Sequence, residues 1–140
     1  MSSASSPVHG SVAWLVVAHG SRNPDLVAAH AEVCDAIGAK VGSRVTVRPA
    51  YLELTEPSIP DAVDQAVAEG AGHVVLVPYF LHVGNHTLRD IPAILADASR
   101  RHPEVRLTLA EHLGFDQRLV DLAIDRASAA EADPRAPDGR

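Results

Sequence analysis

Short apolar runs alternate along the chain with longer stretches of mixed polarity, and turn residues separate the two kinds. Four apolar runs predict strands, and the first three are rich in β-branched residues: Ser11 to Ala18, about Arg44 to Leu52, His73 to Val77, and about Arg106 to Ala110. Runs that are nearly continuous in apolar residues are typical of strands buried on both faces of a parallel sheet. The order of the segments predicts a βαβαβαβα arrangement.

The stretches between and after these strands carry apolar residues at helical spacing. Pro24 and Ser58 mark the starts of the first two helices. Asp90 is the predicted N-cap of the third helix, with Pro92 in its first turn. We expect four helices to cover one sheet, with these apolar stripes: Leu26, Ala29, Val33 and Ile37; Ile59, Val63, Ala66 and Val67; Ile91, Ile94, Leu95 and Ala98; Leu119, Leu122 and Ala123.

Right-handed helical crossovers between parallel strands predict an α/β fold with a doubly wound sheet and helices on both faces. The commonest order for so few strands is 2-1-3-4. Ligands of such sheets bind beyond the carboxyl ends of the strands, where successive crossovers leave for opposite faces. That switch point lies between the first and third strands. The loops that follow them, residues 19–24 and 78–90, are the predicted functional region.

A length of 140 residues predicts one domain, which we place at residues 11–130. The flanking segments 1–10 and 131–140 lack apolar periodicity and are expected to be disordered. The longest apolar stretch, residues 12–18, is far shorter than the roughly 18 residues of a membrane span. A lone cysteine cannot form an internal disulfide, and the amino terminus lacks the features of a signal peptide. We expect a cytoplasmic protein without a membrane partner.

Eighteen acidic and twelve basic residues give a net charge of -6, and no basic stripe is visible. Nucleic acid is therefore not an expected partner. An anionic ligand would have to be held by a few local arginines. The eight histidines are more than packing requires, and histidine both binds metals and moves protons near neutral pH.

His19 directly follows the first strand, and His82 and His86 lie in the loop after the third. Neighbouring strands are about 4.8 Å apart, so histidines from these two loops can converge on one metal or one ligand. His86 is the preferred partner of His19, because Gly84-Asn85 predicts a turn beside His82. Two imidazoles with open positions suit transient handling of Fe, Co, Ni, Cu or Zn, or they can act as bases. Capping and packing are the structural alternatives for each.

Charged residues flank the two histidines. Arg22 and Arg89 can each hold a carboxylate bidentately, or can serve solubility and helix pairing. Glu53 leaves the second strand near the same edge and is the candidate proton acceptor, although edge strands often carry such carboxylates. His112, after the fourth strand, remains open as a further candidate.

Taken in order and spacing, four segments resemble the sirohydrochlorin chelatases of the CbiX/SirB type. The resemblance extends from about residue 12 to residue 126. The segments are LVVAHGSR at residues 15–22, YLEL with PSI at residues 51–59, the loop PYFLHVGNHTLRDIP at residues 78–92, and LG at residues 113–114 followed by Asp116, Leu119 and Arg126.

The resemblance implies a class II chelatase that inserts Co²⁺ or Fe²⁺ into sirohydrochlorin without ATP, in cobalamin or siroheme synthesis. Ni²⁺ is a further candidate, and no cofactor beyond the substrate metal is expected. The two histidines of the family fall on His19 and His86, as metal ligands and catalytic groups. Glu53 joins them as a proton acceptor, and we predict Ser21, Arg22 and Arg89 as substrate-binding residues.

Longer members of the family carry two such halves in one chain, whereas this chain has one, so the resemblance implies a homodimer. The main alternative is a carrier that binds metal or tetrapyrrole without catalysis. A histidine phosphatase would place arginine directly before the histidine, but Ala18 stands there. The G-x-G-x-x-G motif of dinucleotide-binding domains is absent after the first strand.

Overall fold

In the computed structural model, which describes residues 10–135, one parallel sheet is surrounded by helices. The strand order is β2-β1-β3-β4, as predicted from the sequence. The elements are β1 (Ser11–Ala18), α1 (Pro24–Val41), β2 (Val45–Tyr51), α2 (Ile59–Ala68), β3 (Ala71–Pro78), α3 (Asn85–Arg101), β4 (Arg106–Leu109) and α4 (Gln117–Ala132), with a short 3-10 turn at Gly42–Arg44.

Strand β1 lies at the centre of the sheet and pairs in parallel with both β2 and β3. Its alternate side chains Leu15 and Val17 are buried in the main core, on the face covered by α2 and α3. Helix α1 packs on β2 and lies on the opposite face, because a Cβ at Gly38 would meet the side chain of Val47, which is the register partner of Trp14. Full burial of one such aliphatic side chain contributes about 1.5–3 kcal/mol. Packing on the two faces therefore holds the sheet in place, and with it the loops at its edge.

The first two helices begin where the sequence predicts. The Asn23 side chain accepts a hydrogen bond from the backbone N–H of Asp25. The Ser58 side chain accepts one from the backbone N–H of Asp61. Each cap satisfies an N–H group that has no partner inside its helix.

Helix α3 begins earlier than the sequence predicts. Gly84 is its N-cap, so Asp90 lies within the helix and is not the cap, and Pro92 lies in the interior and not in the first turn. Proline removes the hydrogen bond that the carbonyl of Leu88 would accept. Both Leu88 and Pro92 are exposed, so water can satisfy that carbonyl. The glycine that was interpreted as part of a turn is the helix start.

The buried stripe of α1 is rotated from the predicted one. His30 and Cys34 are the buried residues of the helix, whereas Leu26 is 59% exposed. Burial and the nearby Asp35 carboxylate raise the pKa of the Cys34 thiol to about 11. The expectation failed because a histidine was placed among the polar positions, although it packs inward here.

Helix α4 does not cover the sheet, in contrast to the expectation of four covering helices. In the described part of the chain it makes no extensive contact with any other helix or strand, and its residues are exposed except for the half-buried Leu119. The helix continues to Ala132, inside the segment predicted as a disordered tail. Most of the other residues predicted as disordered, in the segments 1–10 and 131–140, lie outside the described residues. No helix within residues 10–135 is long and apolar enough to span a membrane.

An ion-pair network joins α2 to α3. Asp64 accepts a hydrogen bond from Nε2 of His102 at 2.7 Å and another from the guanidinium of Arg101. These two contacts, with that of His102 the larger cause, lower the pKa of Asp64 below its ordinary 3.8. A carboxyl whose pKa is lower in the folded than in the unfolded state stabilises the fold above the unfolded pKa. That stabilisation is lost as the pH falls through the folded pKa.

We expect Asp64→Asn to lower the free energy of unfolding at pH 7 by up to about 1 kcal/mol, because the carboxylate is half exposed and screened. The difference from wild type should shrink as the pH falls below 3.8. Urea denaturation at pH 7 and at a pH below 3.8 measures both effects. Asp125→Asn, on the exposed α4, is the matched control and should match wild type throughout. A loss that is independent of pH would show that the contribution of Asp64 is not electrostatic.

Candidate active site

The carboxyl end of β1 places His19 beside Glu53. Backbone pairing continues past the two strands, since the N–H of Glu53 donates to the carbonyl of His19 at 3.0 Å. The Nε2 atom of His19 lies 3.1 Å from Oε2 of Glu53, and both side chains are more than half exposed. Gly20 makes this approach possible: its φ is +106°, and a Cβ there would lie 1.7 Å from the carbonyl oxygen of Glu53.

The loops after β1 and β2 are joined by a reciprocal pair of hydrogen bonds. The N–H of Ser21 donates to the hydroxyl of Thr55 at 2.8 Å, and that hydroxyl donates to the carbonyl of Ser21 at 2.8 Å. The Ser21 hydroxyl accepts a hydrogen bond from the N–H of Asn23. The predicted substrate-binding Ser21 thus also holds the two loops together, and with them His19 and Glu53.

A second pair of histidine and carboxylate lies on the first turns of α3. Nε2 of His86 lies 2.9 Å from Oδ2 of Asp90, one helical turn further along. Residues four apart share a helix face, so the early start of α3 is what brings them together. Sequence analysis assigned Asp90 to a cap and missed this role. The spacing of four residues was the signal, but it counts only once the segment is known to be helical.

The two pairs line one cavity of about 230 Å³ between the sheet edge and α3. Its walls are formed by His19, Leu52, Glu53, His86, Thr87, Asp90, Ala93 and Ile94. Three residues predicted as catalytic are thus brought together. His82 lies outside α3 and is exposed, and it does not line the cavity.

The contacts distinguish the two nitrogens of each imidazole. Nε2 is the nitrogen that lies beside the carboxylate oxygen in both pairs, and an ionised carboxylate favours a protonated nitrogen as its neighbour. In the neutral ring Nδ1 then keeps its lone pair, which can bind a metal or accept a proton. Carboxylates that orient a ligating histidine in this way are common around metals. Within the described residues no three histidine, cysteine or acidic side chains form a metal-binding cluster.

The surroundings of the cavity carry cations and apolar side chains. Arg22 and Arg89 are exposed, and neither forms an ion pair within residues 10–135. Arg89 lies three residues after His86 on α3, so these two side chains are neighbours on the helix surface. Four exposed leucines occupy loops and first helical turns at the carboxyl edge of the sheet, outside the walls of the cavity: Leu26, Leu54, Leu81 and Leu88. Such a rim suits a ligand with a flat apolar body and peripheral anionic groups.

His30 is a buried polar residue that sequence analysis did not assign to the site. Its Nε2–H donates to the carbonyl of Val16 at 2.8 Å, and its ring packs edge-on against Tyr51. It lines a second cavity of about 170 Å³ together with His19 and Tyr51. His30 thereby connects helix α1 to the carboxyl-terminal part of β1. His112, the other open candidate, follows β4 and lies beside Gly114. It lines a separate cavity together with Thr87 and Leu88.

Two relatives of known function are similar to the chain over most of its length. The chloroplastic sirohydrochlorin ferrochelatase of Arabidopsis thaliana is 37% identical over 112 residues, which are 80% of this chain and 49% of the relative. The sirohydrochlorin cobaltochelatase of Methanocaldococcus jannaschii is 34% identical over 142 aligned positions, 82% of this chain and 96% of the relative. The chain therefore spans about half of the first and nearly all of the second.

Two solved structures share the fold. The sirohydrochlorin chelatase SirB of Bacillus subtilis subspecies spizizenii, in complex with cobalt, gives a TM-score of 0.72 at 32% identity over 85% of this chain and 50% of that one. SirB of Bacillus subtilis with Fe³⁺ gives 0.74 at 31% identity over 89% and 48%. The sheet order and helices are thus those of known chelatases, and the model of one family, CbiX, matches residues 13–130. The resemblance stated from the motifs is confirmed: the chain belongs to the CbiX family.

Proposed function

We propose that this protein is a sirohydrochlorin chelatase that inserts Co²⁺ or Fe²⁺ into the tetrapyrrole without ATP. The observation that carries the proposal is the single cavity lined by two pairs of histidine and carboxylate at the switch point of the sheet. Relatives named as cobaltochelatase and ferrochelatase support it. The product would serve cobalamin or siroheme synthesis, and Ni²⁺ is a third candidate metal.

Metal insertion has a simple proton balance that the two pairs can meet. A divalent cation replaces two pyrrole N–H protons, so two protons must leave the macrocycle. The free Nδ1 of His19 and of His86 can receive the metal and then accept a proton each. Glu53 and Asp90 stabilise the imidazolium that results, because each lies at hydrogen-bonding distance from Nε2. Their negative charge also attracts the incoming cation.

The substrate is a polycarboxylate, and the chain has a net charge of -6. Binding therefore requires local cations, and Arg22 and Arg89 are exposed and unpaired within the described residues. Both belong to the segments that hold the histidines. The Ser21 hydroxyl can donate to a further carboxylate while it accepts from Asn23. The leucine rim would contact the apolar face of the macrocycle.

The remaining expectations complete the proposal. The metal ion is the only cofactor that the chemistry requires, and the protein would act in the cytoplasm. Two copies would close a homodimer around one tetrapyrrole, each providing one half of the site, and this is supported by SirB chains that are about twice as long.

The anaerobic initial rate of Co²⁺ and Fe²⁺ insertion into sirohydrochlorin, followed by absorbance, tests the proposed activity. We expect a rate well above that of the reaction without protein. The uncatalysed rate combined with tight binding of metal or tetrapyrrole would instead make the protein a carrier.

Asp90→Asn is expected to lower the insertion rate by about 10- to 100-fold, the usual cost of removing a carboxylate that orients a ligating histidine. The amide keeps the size of the side chain but cannot stabilise an imidazolium at His86. Asp97→Asn is the matched control on the same helix, since within residues 10–135 Asp97 pairs with Arg100 and Arg101 and with no group of the cavity. Equal rates for the two variants would remove Asp90 from the mechanism.

A further inference from the structure

Helix α4 is amphipathic although it packs on nothing in the described part of the chain. At 3.6 residues per turn its polar residues Asp121, Asp125 and Ser128 share one side. Helices of this length owe most of their stability in water to a packed apolar face. The other side is mainly apolar and exposed, with Val120, Leu122 and Ile124 at 36%, 43% and 56%, and Arg126 is the charged residue within it. Its apolar residues are Leu119, Val120, Leu122, Ala123, Ile124, Ala127 and Ala130.

A matching surface lies on the sheet. On the face covered by α2 and α3, the central strands are sealed: Leu15 and Leu76 are at most 1% exposed. On the opposite face Val16 is also fully buried, but Trp14, Val75 and Val77 of the same two strands are only half-buried. Helix α1 packs on β2 at that face, and no helix within residues 10–135 packs extensively over β3 and β4 there. Central strands of a parallel sheet are normally covered on both faces.

Backbone hydrogen bonds fix the segment before α4, and they therefore also fix the separation of the helix from the sheet. The N–H of Ala110 donates to the carbonyl of Leu76, and the N–H of Leu113 donates to the carbonyl of Phe80. Gly114 then turns with φ +50° against His112. Asp116 caps the helix two residues later. The chain is thus led away from its own uncovered sheet face.

We propose that two copies of this chain exchange their α4 helices, each helix packing its apolar side on the uncovered face of β1 and β3 in the other copy. In such a domain-swapped dimer, related by one two-fold axis, the apolar side of α4 and the uncovered sheet face of each copy are both covered by the other copy. An unrelated partner would cover one surface and leave the other open. The dimer of the proposed function would then be held together by α4. The exchange itself rests on the geometry of α4 and the sheet, and on no property of the active site.

Site-directed cross-linking tests the exchange. Val75→Cys and Ala123→Cys are made in separate chains with tags of different size, co-expressed, and treated with a flexible bis-maleimide. We expect a covalent dimer that contains one chain of each kind. The unsubstituted chain should give none, because Cys34 is buried. Thr108→Cys, on the register partner of Val75, replaces Val75→Cys if that variant does not fold.

Three other results would overturn the proposal. In a third variant that carries both cysteines in one chain, a cross-link that forms only within the chain would show that α4 folds back on its own sheet. A Val75→Cys dimer without the helix variant would show that the two sheet faces meet directly. No cross-link from a species that light scattering shows to be a dimer would leave the dimer of the proposed function standing and reject the exchange.

A second measurement uses the helix alone. Leu122→Asp combined with Ile124→Asp should convert a dimer into a monomer at micromolar concentration, as judged by light scattering. Ser128→Asp, on the polar side of α4, is the matched control and should stay dimeric. An unchanged dimer in the double variant would contradict the role of the apolar side.

Discussion

Replacing either His19 or His86 with alanine is expected to lower the rate of metal insertion by about 10²- to 10⁴-fold, the range found for removal of a positioned proton-transfer group. Each variant leaves one carboxylate without its imidazole and removes one of the two imidazoles that line the cavity. The anaerobic initial rate with Co²⁺ and with Fe²⁺ measures the loss. Because both side chains are largely exposed, the fold should persist, and circular dichroism with urea denaturation verifies this.

His82→Ala is the control for this pair of variants. His82 lies four residues before His86 but outside α3, and it does not line the cavity. Its variant should keep the wild-type rate. Loss of activity in His82→Ala with retention in His86→Ala would exchange the roles of the two residues and refute the site as described.

The strands and their order were predictable because burial on both faces imposes an unbroken apolar run, a pattern that few other structures share. Helix starts were predictable where a side chain caps the helix, as at Asn23 and Ser58. The start of α3 was not, because its cap is Gly84, whose side chain makes no capping bond, and because glycine followed by asparagine is also a turn signal.

The same difference explains what could be foreseen of the site. His19 and Glu53 each follow a strand, so the topology alone brings them to one edge. The pairing of Asp90 with His86 depends on where α3 starts, so it could not be predicted once that start was misplaced. His30 is buried through a hydrogen bond to a strand carbonyl, a contact between residues 14 positions apart that no local pattern announces. The unpacked α4 has the apolar periodicity of a helix that covers a sheet. Periodicity alone does not show whether that sheet belongs to the same copy of the chain or to another copy.

Gly20→Ala is expected to have the largest effect on stability, because it combines backbone strain with a steric clash. A φ of +106° is one that residues with a Cβ rarely adopt, at a cost of about 1–3 kcal/mol. The new Cβ would also lie 1.7 Å from the carbonyl oxygen of Glu53. Relieving such overpacking costs about 1–3 kcal/mol more. The sum is a large share of the roughly 5–15 kcal/mol by which a domain is stable.

Gly70→Ala separates the two contributions. Gly70 has nearly the same φ, +102°, but nothing lies within 4 Å of the position of its Cβ. Its variant should lose only the backbone contribution, so the difference between the two free energies of unfolding in urea measures the clash with Glu53.

The clash also predicts a functional difference between the two glycine variants. Relief requires the backbone at Glu53 to move away from β1, and this movement withdraws its carboxylate from His19. Gly20→Ala should therefore reduce metal insertion even where the variant is fully folded, whereas Gly70→Ala, at the opposite end of the sheet, should keep the wild-type rate. If the folded Gly20→Ala protein inserted metal at the wild-type rate, the close contact between the two loops would not be what positions the carboxylate. Glu53 would then owe its place beside His19 to the bonds between Ser21 and Thr55.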